Sequence, residues 1–106
     1  MSKSQLSKSV FGIRMREARL RAQIPQDKLG VAVGLDESTA SARISRYETG
    51  VHEPPFDTAV MIARVLDVPA AYFYCESAEL ASWVLAWHKL DDETRKQKLK
   101  QLDAPR

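Results

Sequence analysis

This 106-residue chain has one cysteine, two histidines and four glycines, and these scarcities remove several classes of function. Cys75 has no partner for an internal disulfide or for a cysteine-based zinc site. Beside Tyr72, Phe73 and Tyr74 it reads as a small buried apolar residue. His52 and His88 lie far apart with no ligand spacing, so neither a metal nor a cofactor is expected, and His52 reads as a surface histidine. Residues 1–9 are polar and lack the apolar centre of a signal peptide, and no apolar run reaches membrane-spanning length. A cytoplasmic protein with no membrane partner is expected. There is no Ser/His/Asp or Cys/His set, no carboxylate pair suggesting a cleft and no glycine-rich phosphate loop, so an enzyme is not expected. Strand signals, internal repeats and low-complexity tracts are also missing.

What is present fits one small folded unit: 44% of residues are apolar and 28% charged. The net charge of +2 says little, but its distribution is uneven. Residues 1–50 carry nine Lys/Arg against five Asp/Glu, whereas residues 51–90 carry two against five. A polyanion would dock on the N-terminal half, although a solvated face has the same composition.

Apolar periodicity predicts an all-α chain. A first helix runs from Val10 towards Ile24-Pro25, with Phe11, Met15, Ala18 and Leu20 as its apolar positions and Arg14, Arg16, Arg19 and Arg21 mostly off that stripe. A second covers Gln26 to Val33, with Leu29 and Ala32 inward, and Gly34 stops it. A third starts at Asp36 or Ser38 and reaches about Glu48, with Ala40, Ile44 and Tyr47 sharing its inner face. A fourth, capped by Asp57, carries Ala59, Val60, Ile62, Ala63 and Leu66. Pro69 opens a short fifth through Tyr74. Two more follow, Glu76–Lys89 and, capped by Asp91, Asp92–Leu102.

The segment from Gln26 to Gly50 is two short helices meeting at a glycine. Opposite its core positions the second of them presents Thr39, Ala42, Arg43 and Arg46. Short residues with two long donors suit a helix lying in the DNA major groove, where arginine can donate twice to the O6 and N7 acceptors of guanine.

Residues 11–74 resemble the Cro/cI-type (XRE) helix-turn-helix family. The resemblance rests on Met15-Arg16-Glu17-Ala18-Arg19, Gln26-Asp27-Lys28-Leu29, Gly34, Ile44 to Gly50, Pro54 and Ile62 to Val68. It implies a five-helix lambda-repressor-like DNA-binding domain, here followed by two additional C-terminal helices. It further implies that Gln26 touches phosphate or a base edge, that Ser41, Ala42, Ser45, Arg43 and Arg46 face double-stranded DNA, and that Arg19 and Glu48 form a buried ion pair. Three departures qualify this. Gly34 and Ile44 are ten positions apart. That is about four more than is usual in the family, or roughly one helical turn. The excess either lengthens the third helix or swells the turn, and it makes Ser38 and Thr39 candidate base contacts. Asp36 and Glu37 suit a helix N-terminus but would be repelled by phosphate, so they should point away or read a cytosine amino group. Pro25 replaces a hydroxyl cap, and His52-Glu53 stands where relatives carry Lys or Arg, so a weak phosphate clamp is expected.

The expected organisation is a flexible arm (1–9), a DNA-binding domain (10–75) and a C-terminal helical extension (76–106). In the extension Leu80, Trp83, Trp87 and Leu90 are spaced three and four apart. This stripe either packs on the chain's own fifth helix or forms a homodimer seam, and the two tryptophans favour the seam. The expected function is a dimeric repressor on a palindromic operator. The alternative is an antitoxin whose C-terminal helices bind a toxin while the domain autoregulates by binding DNA.

Overall fold

A computed structural model describes residues 9–103, and the arm expected over residues 1–9 lies outside it apart from Ser9. Ser9 is the N-cap of α1 (Val10–Ala22), its hydroxyl accepting from the Gly12 amide at 3.1 Å. Phe11, Met15 and Ala18 are buried, as periodicity predicts. Leu20 is instead 50% exposed. It lies about 140° round the helix from Met15. Arg14 and Arg19, expected off the apolar stripe, are both buried. Their stems flank the stripe and their guanidinium groups find partners inside the fold.

Pro25 precedes α2 (Gln26–Ala32), its restricted backbone starting the helix without a side-chain cap. Leu29 is fully buried, but its inward companion is Val33 at the C-cap, one turn further on, and not Ala32, which is exposed. Gly34 then turns the chain at φ 90°, a conformation that favours glycine. The third helix, α3, is Ala40–Thr49 and starts later than expected. Residues 37–39 form a turn, so the extra residues swell the connection and do not lengthen the helix. The Asp36 carboxylate accepts from the Ser38 amide and hydroxyl, and the Asp36 carbonyl accepts from the Thr39 amide. Local bonding of this kind competes with helix formation, which explains why α3 waits until Ala40.

Helix α4 (Phe56–Leu66) follows Pro55 directly. Asp57 lies inside its first turn and makes no side-chain cap bond, a correction to its expected role. Asp67 ends α4 in the left-handed region, at φ 56°. The short helix after Pro69 is a 3-10 segment, Ala70–Tyr74. Tyr72 and Phe73 from this segment complete a core with Phe11, Met15, Leu29, Ile44 and Ile62. Phe11 and Phe73 meet at a centroid distance of 5.0 Å. Cys75 is buried and free, its thiol on the Ala71 carbonyl.

Helix α5 (Ala78–His88) is capped by Ser77 and buries Ala81, with Val84 and Leu85 partly buried on the same core. Helix α6 (Asp92–Asp103) begins at the cap Asp91 and buries no residue. Arg95 ties it back to α5 by donating to the carbonyls of Trp87 and His88 at 3.0 and 2.7 Å. No strand occurs among the described residues, and none of their helices is long and apolar enough to cross a membrane.

Candidate nucleic-acid interface

The core face of α3 is Ala40, Ile44, Tyr47 and Glu48, all buried, so its other side is left to solvent. Ser41, Ala42, Arg43 and Arg46 are exposed there, and Ser45 is half-buried at the margin. Arg14, Arg19, Arg21 and Arg95 all bond within the chain. Arg43 and Arg46 have no side-chain hydrogen bond or ion pair among the described residues. Their long donors are therefore free to reach an external acceptor.

Behind this face lies a polar network. The Arg19 guanidinium donates twice to the Glu48 carboxylate, at 2.5 and 3.1 Å, and once to the Ile24 carbonyl at 3.1 Å. The Glu48 side chain is only 3% exposed and that of Arg19 is 11% exposed, so the pair is buried. A two-pronged pair of this kind locks α1 to α3 in one orientation. Gln26 extends it: its amide nitrogen donates to Glu48 at 3.1 Å, and its amide oxygen accepts from the Ser41 hydroxyl at 3.4 Å. Gln26 is thus half-buried between the two helices of the motif, with its amide directed by Glu48. Sequence reasoning placed Gln26 beside DNA but missed this link.

The two helices approach closely at Gly30. A Cβ built there would stand 2.6 Å from that of Ala40, so glycine sets the α2–α3 distance. Ser38 and Thr39 sit at the exposed entrance to α3. Both hydroxyls donate to Asp36 within the turn, at 3.2 and 3.4 Å, which leaves their lone pairs outward as acceptors. The Asp36 carboxylate faces back onto that turn. On the other flank, Thr39, Arg43, Arg46 and Tyr47 form one wall of an open groove of about 640 Å³, with Val51, His52, Glu53 and Pro55 opposite. The His52 amide donates to the Arg46 carbonyl, which fastens the loop to the end of α3.

Of the expected seam, Leu80 is 52% and Trp83 70% exposed, while Trp87 is 36% exposed. Leu90 is half-buried. The face packed on the body of the chain is Ala81, Val84 and Leu85.

Comparison with known proteins agrees with this geometry. The helix-turn-helix family model HTH_3 matches residues 15–73. The crystal structure of transcriptional regulator BswR superposes with a TM-score of 0.83 at 40% sequence identity, over 89% of this chain and 93% of that one. Comparison with curated proteins gave no match. The buried Arg19–Glu48 brace, the glycine-spaced helix pair and the match over residues 15–73 lead to one conclusion: this all-α, lambda-repressor-like chain with two additional C-terminal helices belongs to the XRE-type helix-turn-helix family.

Proposed function

We propose that the protein is a sequence-specific, double-stranded-DNA-binding transcriptional regulator that acts as a repressor, a dimer seated on a palindromic operator. Helix α3 enters the major groove and Arg43 and Arg46 read base edges, guanine being the preferred target of a two-pronged arginine. Ser38, Thr39, Ser41, Ala42 and Ser45 border the same face, where small residues allow close approach. Gln26 supports Ser41 and holds the motif in register. The observation that carries this reading is the pair of arginines, without a partner among the described residues, on the solvent face of a helix whose back is locked by a buried ion pair. One such unit covers a half-site, and a two-fold pair covers two about 34 Å apart. The exposed face of α5, with Trp83 at its centre, supplies the surface for that pairing. The family and the regulator at 40% identity support the DNA-binding, transcription-regulating part of this reading.

Selection of bound duplexes from a random-sequence pool, using purified protein, tests it. A palindromic consensus is expected, and its placement over a promoter should silence a reporter when the protein is supplied. Failure to enrich any sequence, even at low ionic strength, overturns the reading.

A further inference from the structure

Among the described residues three charged side chains are buried, and two of them, Arg19 and Glu48, brace the reading helix. The third is Arg14. Its Nε donates to the Cys75 carbonyl at 2.8 Å and its Nη2 to the Glu76 carbonyl at 3.2 Å, while Nη1 pairs with Glu17 at 2.8 Å. Cys75 and Glu76 are the only residues between the 3-10 segment and Ser77, the cap of α5. The guanidinium of an α1 residue therefore grips both peptide groups at which α5 leaves the DNA-binding domain. Cys75 is itself anchored, its thiol on the Ala71 carbonyl.

We propose that Arg14 is a positioning residue that sets the angle between α5 and the reading head, and so the half-site spacing that a dimer accepts. The leverage is geometric. An eleven-residue helix is about 16 Å long, so a 10° swing at its start moves its end by about 3 Å, roughly one base-pair step. The other ties on α5 are weaker guides to direction. Ala81, Val84 and Leu85 supply nondirectional apolar contact. The His88–Asp67 contact at 3.0 Å involves an aspartate that is 94% exposed. Among the described residues Arg14 alone binds the backbone of the hinge with a rigid planar donor.

The consequence for operator spacing rests on the dimeric reading, so the test has one arm that does not. Spin labels on Lys28→Cys and Ser82→Cys, both exposed, report the distance between α2 and α5 within one protomer when labelled protein is diluted into unlabelled. Arg14→Met should broaden that distance distribution while thermal unfolding stays cooperative. Glu17→Gln, which leaves both carbonyl grips in place, should keep it as narrow as in the wild type. If Arg14→Met does not fold, Arg14→Lys carries the test, because an ammonium lacks the planar fork and should broaden the distribution partially. An unchanged distribution in the folded variant overturns the proposal. In the second arm, the wild type should prefer one half-site spacing over its neighbours by about tenfold, and Arg14→Met should reduce that preference below about threefold with single half-site affinity unchanged. A wild type indifferent to spacing refutes the dimeric reading, while the distance measurement still decides the role of Arg14.

Discussion

At residue resolution, two pairs of charged groups on and under α3 have opposite fates, and substitutions should separate them. Arg43 and Arg46 face solvent with no partner among the described residues, so Arg43→Ala and Arg46→Ala should each weaken operator binding by about 1–3 kcal/mol. Their thermal unfolding should stay at the wild-type temperature; a loss of stability instead would place these side chains in the fold. Arg19 and Glu48 are buried and bonded to each other. Glu48→Ala leaves a guanidinium without its carboxylate and removes the acceptor that orients Gln26. It should cost about 3–5 kcal/mol in denaturant-monitored stability, with loss of DNA binding following from unfolding. The sequence pattern put Arg43 and Arg46 on the outer face of α3, and the family resemblance implied the Arg19–Glu48 pair behind it. Neither could reveal that Arg14 is buried too, because arginine on an amphipathic helix has the same one-dimensional signature whether its head reaches water or a carbonyl 61 positions away.

Among the helices, the spacing between α2 and α3 is the sensitive quantity. Gly30→Ala would push a methyl into Ala40, and the overpacking should cost roughly 1–3 kcal/mol. Because that contact sets the tilt of α3, operator affinity should fall by more than the loss of folded protein explains, which titration of the folded fraction against DNA would measure. Helix α6 offers a second element-level test, since it buries nothing and depends on its ends. The Thr94 backbone amide, with its hydroxyl and then Arg95 behind it, holds the Asp91 carboxyl below its ordinary value of 3.8. A depressed folded value means the cap stabilises α6 above that ordinary value and is lost as the pH falls through the lowered one. Helical signal from residues 92–103 should therefore decline only in strong acid, and Asp91→Ala should remove that step when followed by NMR.

At the scale of the whole fold, the described residues measure 54 × 29 × 23 Å, an elongated outline for their number. Its radius of gyration of 15.7 Å exceeds the roughly 13 Å of a compact domain of equal size. Helices α5 and α6 leave Leu80, Trp83, Leu99 and Leu102 exposed, an apolar display with little internal reason. Trp87 is partly covered by Arg95, whose guanidinium lies 6.0 Å from a ring centroid. Replacing Trp83 and Trp87 together by glutamate should yield monomers in sedimentation. It should also lower affinity for a full palindrome by roughly 100-fold or more, while half-site binding is retained. A sedimentation profile identical to wild type would refute the proposed pairing through Trp83 and Trp87.

The amino-acid sequence by itself determined the class of fold, the order of the helices and the core faces of α3 and α4, because apolar spacing, glycine stops and proline starts are local properties of the chain; the family came from the resemblance carried by motif residues such as Ile44 to Gly50. Only the folded structure shows where the surplus residues between Gly34 and Ile44 went, since Asp36 can cap a helix or close a turn on Ser38 and Thr39, and here it closes the turn. It also decided that Gln26 joins Glu48 and that Arg14 holds the root of α5, because these bonds link residues 22, 61 and 62 positions apart, beyond the reach of any periodic pattern.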